Sequence, residues 1–304
     1  VGSAGGAGDW IDAGKWYFAI ISGAVSRAKE ASEMRQQMKS FLKKAIRSAG
    51  YDIRRRGTVV FPYLRRIEFA GQQFEFWIAD ECGRLWYHEV LSHMIQETKQ
   101  LQNLIEPGDR VLEVGCHHGF YTVLLAQRVG SSGFICGVEA SPENALIAQA
   151  QVTLNHLGGH AIVIHAAGSD NTEALHVRSG NEGGNNHIVV TESIPSLEVQ
   201  AITGDELDEK YGPFDVLKLD VEGFESKVLK GCKGMLERRP RIAIEVHGAA
   251  LPGYGSSAAE VLELLHLDDY EGFMVRRPAY TLDPIAREQI VGDEPVNLFL
   301  RPIK

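Results

Sequence analysis

The segment Arg110–Val129, RVLEVGCHHGFYTVLLAQRV, decides the fold. RVLEV is a short, mostly apolar run of the kind that forms a strand covered on both faces. Gly115 and Gly119 bracket CHH and break the run into a turn. FYTVLLAQRV then reads as a helix. A buried strand that passes through a glycine turn into a helix is the opening half of a βαβ unit, and such units build parallel sheets.

The same alternation continues downstream. GFICGVEA (133–140) is expected as a second strand, followed by a helix over SPENALIAQAQVTLNHL with Ser141 as its cap and Pro142 at its first position. AIVIHAA (161–167) and FDVLKLD (214–220) follow as strands three and four, and IAIEVHG (242–248) as the fifth. SLEVQAIT (196–203) reads as extended, residues 257–266 as a helix, and GFMVRR (272–277) and PVNLFLR (295–301) as late strands. Residues 106–304 are therefore expected to form an α/β doubly wound sheet. The loop RSGNEGGNNH (178–187) is long, polar and glycine-rich, which suits a lid over a substrate. Upstream, FEFWIAD (74–80) reads as a strand and residues 86–105 as one helix ended by Glu-Pro-Gly-Asp. Residues 25–48 space apolar side chains helically with Arg and Lys on the other face. The expected division is an N-terminal helical and strand extension over 1–84 and the main domain over 85–304.

The chain has 304 residues and a net charge of −9, unevenly spread. Between Lys15 and Arg66 stand thirteen Lys/Arg and three acids, which leaves 18 basic and 37 acidic residues elsewhere. That asymmetry fits a basic arm on an acidic body, able to touch an anionic membrane or polymer through residues 15–66, or simply a solvated basic helix. The acidic body argues against a nucleic-acid partner, because phosphate contacts need basic surface. Cys82, Cys116, Cys136 and Cys232 form no C-x-x-C pair, so a zinc knuckle or disulfide framework is not expected, and a reducing, cytoplasmic setting is favoured. The apolar run Trp16–Val25 is about half the roughly 20 residues of a membrane span. The chain opens VGSAGGAG without methionine, so its first residue is not read as the natural start.

In such sheets the ligand lies beyond the carboxyl ends of the strands. The first turn carries Glu113, Gly115 and Gly119 and lacks the G-x-G-x-x-G of a dinucleotide site, which disfavours a NAD-dependent oxidoreductase. A carboxylate this close to the helix start would repel a diphosphate and suit a cationic ligand such as S-adenosyl-L-methionine (SAM). Glu139 ends the second strand 20 residues after Gly119, near the ~20 residues at which an acid grips ribose hydroxyls. Gly168 after the third strand would lie beside the adenine.

VLEVGCHHGFYT, GVEASPEN, AAGSDN, KLDVEGFESKVLKG (218–231) and IAIEVHG, in this order, resemble the FkbM-like SAM-dependent methyltransferase family over roughly Trp86–Arg301. The resemblance implies a Rossmann-like class I methyltransferase that methylates hydroxyls of sugars, glycans or secondary metabolites. It implies a cofactor site at Glu113, Gly115, Cys116, His117, Gly119, Tyr121 and Thr122, at Glu139, Ala140 and Ser141, at Ala167 and Gly168, and at Asp220. KKAIRSAGYDIRRRG is similar to the basic lead-in of members linked to cell-surface glycans, which suggests the inner membrane surface. Cys116, His117 and His118 depart from the family, which usually has a small residue, an asparagine and an aliphatic there. One histidine is expected to pack under the turn and the other to be exposed.

Asp220, Glu222 and His247 fall where the methyl would point. In one reading Asp220 or His247 is the general base and Glu222 orients the substrate or caps the turn. In the other the three bind a divalent metal that acidifies the hydroxyl. The first is preferred, since a hard magnesium site usually has more oxygen ligands. Glu222 pairing with Lys218, or accepting backbone N–H groups, is the bland alternative. A non-catalytic SAM-binding module held to a membrane or anionic polymer by the basic helix is the competing function. RNA methylation, kept open by the basic arm, ranks behind it.

Overall fold

The computed structural model describes residues 62–178, 187–189, 196–276, 280–290 and 294–303. The basic helix expected over 25–48 and the interior of the loop over 178–187 lie outside them.

Residues Val60–Lys304 form one compact unit. It opens with a hairpin, β1 (Tyr63–Phe69) and β2 (Gln72–Ile78). Ala70 and Gly71 both take positive φ at its two-residue turn, the conformation whose twist matches paired strands. The hairpin's inner side chains, among them Phe69, Phe74 and Phe76, pack on Phe120. Gln151 bonds Trp77 through both N–H and C=O, and Asn155 does the same for Glu75, so side-chain amides occupy the free edge of β2. The boundary expected after residue 84 thus falls inside the compact unit, and the hairpin shares the core of the larger domain.

The main sheet has eight strands. β3 (Arg110–Val114), β4 (Phe134–Glu139), β5 (Ala161–His165), β11 (Val216–Leu219) and β12 (Arg241–Val246) are parallel, in the order β5-β4-β3-β11-β12. β13 (Tyr270–Arg276), β14 (Thr281–Pro284) and β15 (Val296–Pro302) extend it antiparallel beyond β12 in the order β15-β13-β14. Five short strands lie outside this sheet: β6 (Ala167–Gly168) pairs β10 (Ala201–Ile202), and β7 (Leu175–Arg178) lies between β8 (His187–Val189) and β9 (Leu197–Val199).

Alternation along each strand feeds two cores. Val111, Ile135 and Val216 face the hairpin and the helices Ile95–Leu104 and Phe120–Val129. Leu112, Cys136 and Leu217 face the helices Glu225–Lys230 and Ala258–Leu264. This is a Rossmann-like, doubly wound α/β sheet. The single helix expected over 86–105 is instead broken: a π-helical turn at Leu85–Glu89, a 3-10 turn at Leu91–Met94, and an α-helix only from Ile95. Val90, with φ −106° and ψ 7°, marks the break. Among the described residues no helix is long and apolar enough to cross a membrane.

Candidate active site

The chain runs outward through β3, β4 and β5, then returns to lay β11 against the other side of β3. The segments that follow the two strands lead to helices on opposite faces of the sheet and leave a crevice. Gly115 follows β3 and Asp220 follows β11. A Cβ on Gly115 would sit 1.8 Å from the Asp220 carbonyl oxygen, and its φ is +86°, so both contact and backbone demand glycine. The turn is then pinned to β4: Gly115 and Cys116 both donate their N–H to the Val138 carbonyl.

A cavity of about 260 Å³ opens over these strand ends. Its lining includes Glu113, Gly115, Cys116, His117, Glu139, Ala140, Ala167 and Gly168 from the β3, β4 and β5 side, Asp220, Glu222 and His247 from the ends of β11 and β12, and Trp86, Tyr87, Tyr121, Phe224, Glu97 and Glu245. Thr122, Ser141 and Gly119 stand behind this lining. Thr122 donates to Glu113 Oε2 at 2.7 Å, and Ser141 caps the helix Pro142–Leu154. Gly119 (φ +78°) lets that helix approach, since a Cβ there would lie 2.9 Å from Ala148 Cα.

Glu139 is buried, and each of its oxygens accepts one backbone N–H, from His117 at 2.8 Å and Ser141 at 2.9 Å. Burial pushes its pKa up to about 7, and those hydrogen bonds only partly offset it. His118 packs under the turn as expected and meets Asn144 Oδ1 at 3.1 Å. Its partner is half-buried rather than exposed: His117 stacks on His118 at 4.2 Å and pairs with the Tyr87 hydroxyl at 2.6 Å. Gly168 lines the cavity, and a Cβ there would meet Val114 at 2.6 Å, so packing also calls for glycine.

On β11, Lys218 is buried with its ammonium 3.4 Å from Glu113 Oε1 and over the Tyr121 ring. Burial alone would lower its pKa, but Glu113, Asp220 and Glu97 outweigh that and raise it. Glu222 does not stand one strand repeat after Asp220, because β11 stops at Leu219 and Glu222 takes φ +53° in a turn. That left-handed turn swings it to 3.3 Å from His247 Nε2. Asp220, Glu222 and His247 offer ligand atoms all within 4.8 Å of one another.

The sequence reading missed Glu225. Fully buried, its Oε1 accepts from His247 Nδ1 at 2.7 Å and from the Gly223 N–H at 3.0 Å. The signal was there: Glu225 lies one helical turn before Leu229, on the inward face. Glu245 Oε1 is 3.8 Å from His247 Nε2. Burial alone would lower the His247 pKa, but the Glu225 hydrogen bond and the carboxylates of Asp220, Glu245 and Glu222 raise it to about 10.

The family model for the methyltransferase FkbM domain matches residues 113–273, more than half the chain. That for protein-L-isoaspartate(D-aspartate) O-methyltransferase matches residues 37–176. No curated protein matches the sequence. Similar solved structures include a SAM-dependent methyltransferase from Aquifex aeolicus (17% identity, 73% of this chain and 97% of that one, TM-score 0.40). Another is a SAM-dependent O-methyltransferase from Thermotoga maritima (15%, 79% and 78%, TM-score 0.41). A third is the O-methyltransferase from Bacillus cereus in complex with SAH (16%, 70% and 80%, TM-score 0.36). Likeness this distant assigns no residue a role. The family match, running from β3 to β13 and including Glu113, Glu139, Asp220 and His247, is of another order: the chain belongs to the FkbM methyltransferase family and uses S-adenosyl-L-methionine.

Proposed function

We propose that the protein methylates a hydroxyl oxygen of a sugar, glycan or related secondary metabolite. The observation that carries this reading is the meeting of Asp220, Glu222 and His247 in the same cavity as Glu113, Gly115 and Glu139. The residues suit SAM. Glu113, on the cavity wall and wholly buried, meets the Lys218 ammonium through Oε1 at 3.4 Å and keeps lone pairs for the cofactor's ammonium. Glu139 keeps lone pairs for two ribose hydroxyls beyond those taken by backbone N–H groups. Gly115, Cys116, His117 and Ala140 line the space between them, with Ala167 and Gly168 on the adenine side. When bound, the cofactor supplies a sulfonium methyl to an attacking oxygen.

A neutral hydroxyl attacks poorly, so the site has to orient it and take its proton. His247 has a carboxylate at each ring nitrogen and in the free enzyme is a proton donor, which leaves Asp220 as the acceptor of that proton. Trp86, Tyr87, Tyr121 and Phe224 offer apolar faces to a sugar ring, and Glu97 and Glu245 offer acceptors to its other hydroxyls.

The test is transfer of labelled methyl from SAM to pools of sugars and glycans, protein and RNA. Alkali-stable label on sugar oxygens is expected, and Asp220→Asn should cut turnover by about 10²–10⁴-fold with SAH affinity retained. Label confined to RNA, or to alkali-labile protein esters, would overturn the reading.

A further inference from the structure

We infer that Asp220, Glu222 and His247 form a divalent-cation site, best suited to Mn²⁺, against which the acceptor hydroxyl is placed; the inference rests on the reading of the cavity as a methyl-transfer site. The donor set comes first. Two carboxylates and one imidazole converge from the end of β11, the turn after it and the end of β12, with ligand atoms all within 4.8 Å of one another. Donors on one ion at about 2.1 Å lie up to about 4.2 Å apart, so the widest pair has only to close by a fraction of an ångström. Small rotations of the donor side chains are enough for that. Hard oxygens with one nitrogen suit Mn²⁺ better than an all-oxygen ion such as Ca²⁺.

The second observation lies behind the donors. Glu225 is fully buried and fixes His247 through Nδ1 at 2.7 Å, so Nε2 is the ring atom turned to the other two donors. A histidine that ligates through one nitrogen usually gives its other N–H to a carboxylate in this way, which fixes both tautomer and orientation. The other Glu225 oxygen is buried without a hydrogen-bond partner among the described residues, a cost more readily met beside a cation. All three donors border the cavity, so three protein ligands leave positions for the acceptor's oxygens. An ion there would lower the hydroxyl's pKa. Asp220 can ligate through one oxygen and take the proton on the other.

Electron paramagnetic resonance of free Mn²⁺, titrated with the purified protein, tests the site, with SAH calorimetry on the same samples. One Mn²⁺ per chain is expected, weakened at least about tenfold in Glu222→Gln, His247→Gln and the supporting variant Glu225→Gln. All three should still bind SAH. No Mn²⁺ binding by a wild-type protein that binds SAH would overturn the cation site and leave the cofactor reading standing. Binding undiminished in all three variants would place the ion elsewhere and overturn it equally. Loss of SAH binding in the wild type would instead strike the cofactor reading.

Discussion

At Glu139 burial and hydrogen bonding act against each other. Burial wins, and the carboxyl titrates at about 7 in the free protein. Ribose hydroxyls donate to the ionised form, so the sign follows: below about pH 7 a proton must leave before the cofactor binds, and SAH affinity falls towards about tenfold per pH unit. Glu139→Gln should bind SAH more weakly at pH 8 and lose most of this dependence. Equal affinity in calorimetric titrations at pH 6 and 8 would remove Glu139 from the ribose. Its position was legible in the sequence because strand length and turn spacing fix where β4 ends. Glu222 was harder. Two positions apart in an extended chain, Asp220 and Glu222 would share one strand face, and the left-handed φ that carries Glu222 to His247 has no sequence signal beyond the glycine after it. Glu225 had a positional signal, the inward face it shares with Leu229, but an acid in a helix's first turn is ordinarily explained by the helix dipole alone.

Among the elements, the five parallel strands could be read directly, because burial on both faces leaves continuous apolar runs. The segment 86–105 could not. Its apolar spacing is helical throughout, yet the chain breaks at Val90, with Trp86 and Tyr87 on the cavity wall. Adjacent strands also carry a buried polar row that periodicity does not reveal: Lys218 on β11 lies in register with Glu113 on β3. Removing one partner strands the other's charge in the core. Lys218→Met should therefore cost about 3–5 kcal/mol in urea unfolding. The double variant Lys218→Met/Glu113→Gln should recover much of that loss. A single variant as stable as wild type would mean the pair carries no such weight.

For the whole molecule, the order β5-β4-β3-β11-β12 places the crevice between β3 and β11, and every candidate residue on the cavity wall comes from a strand end, an adjoining turn or a neighbouring helix. The doubly wound sheet was legible from the sequence because alternating strands and helices have few right-handed arrangements open to them. The hairpin's place in the domain was not, since it depends on Gln151 and Asn155 reaching its edge from about 75 residues away, a long-range match without local pattern. The central claim is that this crevice takes S-adenosyl compounds and no dinucleotide. Its most direct measurement is a calorimetric titration of the protein with SAH beside a parallel titration with NADH. Saturable binding of SAH alone, near one molecule per chain, is the predicted result. Binding of NADH alone, or of neither, would contradict the account.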